Sequence, residues 1–140
     1  MTDQLNSFDP PQTWDELVEL KPKICHSTPE TARLPQDLAF YQLYTKLVPR
    51  DIRLEIINQL IGDNDYKILQ NNFPYLNLLK HLPEVKHYCL WSRIGELSPE
   101  KIDSEITKVF PGKKYFWLEN SPQTKSIPEI WHCQVFVKEK

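Results

Sequence analysis

Ile130-Trp131-His132-Cys133-Gln134-Val135-Phe136-Val137 is the stretch on which the fold turns. In an extended chain Trp131, Cys133, Val135 and Val137 fall on one side, and Ile130, His132, Gln134 and Phe136 on the other. The first set is apolar and should meet helices. The second frames two polar groups with apolar ones, the pattern of a cleft floor more than of a fully wetted face. Working back along the chain, Val85 to Trp91 is rich in β-formers and Tyr115 to Leu118 is a run of aromatics. Between them Ser98-Pro99-Glu100 supplies an N-cap with proline at the first helical position. Ile102, Ile106, Val109 and Phe110 then mark one helix face, and Pro111-Gly112 ends it. The order strand, helix, strand, loop, strand predicts a small, mainly antiparallel sheet of three or four strands with helices on one side.

The first half has a different period. Residues 1 to 12 are polar and close in Asp9-Pro10-Pro11, which predicts a flexible arm. Thr13-Trp14-Asp15-Glu16 fits a capping box, opening a short helix that buries Trp14, Leu17 and Val18 and stops at Pro22. Lys23 to Leu34 has turn chemistry and reads as loop. A helix is expected from about Pro35 to Val48. Pro49 suits the first turn of the next one, which carries Ile52, Ile56, Ile57, Leu60 and Ile61 at helical spacing and ends at Gly62. The fold class is therefore α+β: an N-terminal helical unit packed on a small C-terminal sheet with one inserted helix. A single domain is expected over 13–140, mostly helical over 13–82 and sheet-containing over 83–140.

Composition narrows the functions open to such a chain. It has 140 residues, a formal charge of −2, and only 3 Gly against 12 Pro. Gly62, Gly95 and Gly112 lie too far apart to write a P-loop or a dinucleotide-binding fingerprint. A near-neutral balance argues against duplex DNA, whose binding depends on a basic stripe. Cys25, Cys89 and Cys133 are odd in number and widely spaced, which favours a reducing compartment over a disulfide framework. No run of 18 apolar residues is present, and the first twenty residues lack Lys and Arg, so neither a membrane span nor a signal peptide is expected. The reading is a cytoplasmic monomer or homodimer with no membrane partner and no cofactor.

The C-terminal third resembles the fungal N-acetylglucosamine-induced proteins. The residues that carry the likeness are Lys86-His87-Tyr88-Cys89-Leu90-Trp91-Ser92-Arg93, Phe110-Pro111-Gly112 and Trp117-Leu118-Glu119-Asn120. They continue in Ser126-Ile127-Pro128-Glu129-Ile130-Trp131-His132 and Val135-Phe136. Thr13-Trp14-Asp15-Glu16-Leu17 and the helix around Tyr41 are similar to that family's N-terminal part. The resemblance implies a cytosolic protein tied to amino-sugar metabolism and supplies no reaction.

Strand alternation sorts the residues that could carry chemistry. His87, Cys89 and Trp91 share one side of the first strand, and Tyr115, Trp117 and Glu119 one side of the second. If His87, Glu119 and His132 reach a common face, the sheet presents two imidazoles and a carboxylate among indoles. Imidazole is the side chain that titrates near neutrality without help, so His87 and His132 are the candidate catalytic groups. Trp91, Arg93, Trp117, Glu119, Asn120, Ser126 and Gln134 are the candidate ligand contacts. The ligand expected is a small polar or phosphorylated metabolite, favoured further if Arg93, Lys113, Lys114 and Lys125 converge at one end of the sheet. The bland readings stand beside these. Strand tryptophans usually pack a core, Glu119-Asn120-Ser121-Pro122 is by itself a turn signature, and lysines at strand ends are usually solvated.

Three alternatives differ in class. Asn120, Ser126 and His132 follow the order of the histidine-triad nucleotide hydrolases and transferases. Gln134, however, stands where that family's nucleophilic imidazole belongs, and Phe136 where its third histidine does. Glutamine cannot form a phosphoryl-imidazole intermediate, so the likeness supports a degenerate phosphoester pocket at most. Zinc could be held by His87, Cys89 and His132 with Cys25 and His26, although the spacing matches no zinc motif. An interaction module without a small ligand is the remaining class.

Overall fold

Thr13 Oγ1 accepts the Glu16 backbone N–H at 3.1 Å, and the Glu16 carboxylate reaches back to the Gln12 N–H at 2.9 Å. The expected capping box is thus closed one residue further out. In the computed structural model, the residues described are 10–25, 35–71, 75, 76, 78–120 and 130–139. The cap opens α1 (Trp14–Glu19). Pro22 does not stop the helical path as the sequence suggested. It sits in the first turn of α2 (Lys21–Cys25), where its missing N–H costs nothing. Leu17 and Ile24 are fully buried, Trp14 is half-buried, and Val18 faces outward, against expectation. Most of the expected N-terminal arm lies outside the described residues; near its end Pro11 is buried.

Helices α3 (Pro35–Leu47) and α4 (Arg50–Ile61) fall where the periodicity placed them. Gly62 ends α4 at φ +66°, with its N–H on Asn58 O at 3.0 Å. A strand absent from the sequence reading follows: β1 (Tyr66–Gln70). Its apolar or aromatic side chains, Tyr66, Ile68 and Leu69, are interrupted by Lys67, too short a run to declare a period. Then come β2 (Val85–Ser92), α5 (Pro99–Val109), β3 (Lys114–Leu118) and β4 (Trp131–Lys138). Ser98 Oγ accepts the Lys101 N–H at 3.2 Å with Pro99 behind it, the start signal read in the sequence. Ile102 and Ile106 are buried as expected, whereas Val109 is exposed.

The four strands form one antiparallel sheet in the order β1-β2-β4-β3, with β4 central. The architecture is α+β. One correction concerns the layers, because helices cover both faces. On one face Leu90, Cys133, Val135 and Val137 pack against Leu97, Ile102 and Ile106 of the α5 segment. On the other, Val85, Phe116, Leu118 and Phe136 meet Leu17 and Ile24, together with Tyr75, Leu78, Leu79 and Leu82 of the β1–β2 connection. Farther along the same face Cys89 and Trp91 pack on Ile57 and Ile61 of α4. The physical reason is that this second face also carries large apolar side chains that must be covered. Each fully buried side chain of this size is worth about 1.5–3 kcal/mol over exposure, so Phe116 and Phe136 draw the N-terminal helices onto the sheet.

Candidate functional site

The pairing of β2 with β4 sets His87 opposite Phe136, Cys89 opposite Gln134 and Trp91 opposite His132. Pairing of β3 with β4 sets Phe116 opposite Phe136 and Leu118 opposite Gln134. Both imidazoles therefore lie on the face covered by the N-terminal helices. They do not share a site. Their rungs are four residues apart along β2, about 13 Å at the rise of a strand. Each is also sealed, so the expected cleft floor is an interior layer.

His87 is the head of a buried polar chain. Its Nδ1 accepts the Tyr75 backbone N–H at 3.1 Å, which requires a lone pair there and puts the ring proton on Nε2. That proton goes to Gln134 Oε1 at 2.5 Å, and Gln134 Nε2 donates to Asn120 Oδ1 at 3.0 Å. Asn71 Nδ2 adds bonds to Gln134 Oε1 at 3.4 Å and Cys89 Sγ at 3.3 Å. Its 3.5 Å approach to His87 Nε2 sets donor against donor in this tautomer and is a contact only. The His87 ring stacks on Phe136 at 4.4 Å, with Tyr75 tilted beside it at 4.6 Å. The histidine side chain is held on both nitrogens and on its faces, the arrangement of a packing element.

His132 is placed differently. Its Nδ1 donates to Ile130 O at 2.9 Å, and the ring stacks on Trp91 at 4.2 Å. Trp117 falls on the opposite face from both histidines. Its Nε1 donates to Asp103 Oδ1 at 3.1 Å, beside the Tyr115 hydroxyl at 3.0 Å, so it ties β3 to α5. Glu119 follows in Trp117's alternation, and Asn120, not Glu119, joins the histidine side. Lys113 and Lys114 do not converge with Arg93 either. Lys114 pairs at the Lys138 end of β4, while Arg93 follows the Ser92 end, which pairs with Trp131 about 23 Å away. Ser126, Lys125 and His26 lie outside the described residues, as does the Cys25 side chain. Among the described residues no group of three His, Cys, Asp or Glu side chains could hold a metal.

Arg93 leads to the cavity that the sequence did not reveal. A cleft of about 410 Å³ opens where β2 ends and β4 begins, lined by Leu54, Asn58, Ser92, Arg93, Gly95, Ile130 and Trp131. Arg93 Nη2 donates to Asn58 O at 2.9 Å, and the Arg93 backbone N–H to Asp65 O at 2.7 Å, which hold the guanidinium at the mouth. Gly95 turns the rim at φ +95°, a conformation that a side chain would strain. Trp131 walls the inner side. Its Nε1–H is buried and has no hydrogen-bond partner among the described residues. Ile130 joins the cleft to the Trp91 cluster behind it. Of the expected ligand contacts among the described residues, Arg93 alone lines this cleft. Trp131 was readable only as a core residue, and Leu54 and Asn58 only as helix faces.

Fold and site define an α+β protein with a polar chain sealed in its sheet and an open cleft at one sheet end. No protein-family model matches the chain. It is similar to N-acetylglucosamine-induced protein 1 of Candida albicans (strain SC5314), at 30% identity over 94 residues. That alignment takes in 54% of this chain and 35% of the relative, so the chain spans about a third of the relative's length. The family likeness read in the sequence is thus a distant and partial relationship. The fold is similar to that of the solved protein HTC1, with a TM-score of 0.61 at 18% identity, covering 89% of this chain and 84% of that one. Among the described residues no helix is long and apolar enough to cross a membrane.

Proposed function

We propose that the chain binds a small anionic metabolite, of the size of a sugar phosphate, in the cleft between α4 and the β2–β4 end. One observation carries this reading: the Arg93 guanidinium stands at the mouth of a 410 Å³ cleft walled by Leu54, Ile130 and Trp131. The volume falls in the range of small-molecule sites, and apolar walls with a few polar groups are their usual lining. A guanidinium offers five donors in a planar fork, which suits carboxylate or phosphate oxygens. Asn58 and Ser92 add polar groups for hydroxyls. The buried Trp131 indole N–H gives a reorienting side chain a reason to meet an incoming acceptor, since an unpaired buried donor costs about 1–3 kcal/mol. The reading is of binding, not catalysis, because His87 and His132 are both enclosed by packing.

Amino-sugar phosphates come first among the ligands to test, since the Candida relative is named for induction by N-acetylglucosamine. Thermal shift and tryptophan fluorescence, titrated with inorganic phosphate, glucosamine 6-phosphate, free glucosamine and nucleoside monophosphates, provide the test. Anionic members should raise the melting temperature and change the emission, free glucosamine should not, and Arg93→Gln should abolish both responses. Uniform silence across the anionic ligands, or a response that Arg93→Gln leaves intact, overturns the proposal.

A further inference from the structure

Tyr75 ties the β1–β2 connection to the sheet through a bond that acid can cancel. Its backbone N–H donates to His87 Nδ1 at 3.1 Å, and its ring lies tilted on the imidazole at 4.6 Å. Both residues are buried. Leu78, Leu79 and Leu82 of the same connection cover Val85, Phe116 and Phe136 of the sheet. Local bonds hold the connection together, from Leu79 N–H to Tyr75 O at 3.1 Å and from Leu82 N–H to Leu79 O at 2.9 Å. An isolated turn of this length does not keep such bonds in water, so they depend on its seat against the sheet.

We propose that His87 is an acid-sensitive latch: a proton taken up at Nδ1 breaks the Tyr75 bond, and the connection opens from a sheet that stays folded. A backbone N–H can only donate, so Nδ1 must offer it a lone pair. The other ring nitrogen already gives its proton to Gln134 Oε1. An imidazolium carries a proton on both nitrogens and would set N–H against N–H at Tyr75, in a site where water cannot take over. The surroundings offer that cation no compensation. Among the described residues no carboxylate is buried. On the same face the Cys89 thiol and the Tyr75 phenol are neutral neighbours, and His132 is four residues away along the pairing. Lys138 and Lys114 end this face, opposite Val85 and each other, and their charge disfavours another cation. Lys67 of β1 bonds to Leu60 O, and Lys21 of α2 lies over the Trp117 ring. Asp15, Glu16 and Glu19 of α1, Lys23 of α2, and Lys80 and His81 of the connection are exposed. Opening therefore takes up one proton. By linkage the open population rises about tenfold for each pH unit below the ordinary imidazole value of about 6.5.

Native-state hydrogen exchange of the full chain, followed from about pH 7.5 down to about pH 5, tests this. Protection of the Tyr75, Leu79 and Leu82 amides should fall about tenfold per pH unit below about 6.5, while amides of the central strand β4 keep theirs. His87→Asn places an acceptor where Nδ1 stood and takes up no proton in this range. Protection of the connection should then be independent of pH, although His81 remains in the variant. NMR of the ring nitrogens in the parent decides the matter if that variant does not fold. The His87 ring should gain its second proton over the same pH interval in which the connection loses protection. Connection amides whose protection does not change with pH overturn the proposal, as does a parent-like pH dependence in His87→Asn. A loss shared equally by β4, or an imidazolium that forms while Tyr75 stays protected, overturns it too.

Discussion

Gln134 accepts the His87 Nε2 proton across the β2–β4 pairing and passes its own amide N–H to Asn120, so one glutamine closes both ends of a sealed polar chain. Every polar atom in such a chain depends on its neighbour, because water cannot replace a lost partner in the interior.

Gln134→Leu is expected to destabilise the fold through the groups it abandons. The His87 Nε2–H and the Asn120 carbonyl oxygen would both lose their bond in a buried site, at about 1–3 kcal/mol each. The expected loss is therefore about 2–6 kcal/mol. Urea unfolding of parent and variant measures it. A variant within half a kcal/mol of the parent would show that the chain contributes nothing to stability. Ligand binding at Arg93 should be unchanged in Gln134→Leu under native conditions, since Gln134 stands three rungs in from the cleft and does not line it.

Asp103 holds the β3 edge. One of its carboxylate oxygens accepts from both the Tyr115 hydroxyl and the Trp117 indole. Asp103→Ala removes two bonds to a charged acceptor on a partly exposed surface, so a loss of about 1–3 kcal/mol is expected. The Tyr115 pKa is raised by burial, against a Thr107 hydrogen bond that lowers it, and then by the Asp103 carboxylate, so it should fall in the variant. Ultraviolet titration of the phenolate reads this, and a Tyr115 that titrates unchanged would remove Asp103 as a cause.

The sequence disclosed what is local and hid what joins distant segments. Caps at Thr13 and Ser98 were legible because donor and acceptor lie three residues apart. The alternation of β4 was legible for the same reason. The relative phase of two strands was not. Whether Glu119 or Asn120 joins the histidines depends on Phe116 standing opposite Phe136, a match fixed across a connection of more than ten residues. The cover on the second face was equally invisible, since Leu17 meets Phe136 only through the tertiary fold. The cleft draws single residues from α4, the β2 end and the β4 start, with no pattern in any one of them. Arg93 was among the expected contacts, but as one of four cations grouped with Lys113, Lys114 and Lys125, not as the mouth of this cleft.

Tyr88 gives the fold an alkaline limit. Burial, then the 2.7 Å bond to the Glu139 carboxylate, then that carboxylate's charge raise its pKa from 10.0 to about 12. A raised folded pKa means that the neutral phenol is favoured in the native state. The associated stability is complete below pH 10 and is lost as pH rises from 10 through about 12. Tyr88→Phe should flatten the stability profile in that window and remove one late step from the phenolate titration. Glu139→Gln should move the step down only in part, because burial is the larger cause. A step that falls to the ordinary value in Glu139→Gln would reverse that order.

Trp131 sets stability against binding. Its ring walls the cleft, yet its buried Nε1–H has no partner among the described residues, a cost of about 1–3 kcal/mol to the empty protein. Phenylalanine retains an aromatic wall and lacks the donor, so Trp131→Phe loses packing area and sheds that cost together. The two effects oppose each other, and the expected change in stability is within about 1 kcal/mol of zero, well short of the loss of several kcal/mol usual for truncating a large core side chain. Binding of a phosphorylated ligand should weaken in the same variant, because no indole N–H is then left to turn toward it. Trp91→Phe is the comparison: its ring is stacked on His132 inside the layer, and it should lose stability without loss of affinity. Urea unfolding and the phosphate titration, run on both variants, separate the two roles. A Trp131→Phe protein several kcal/mol less stable than its parent, with unaltered affinity, would make Trp131 a core residue and leave Arg93 to hold the anion without it.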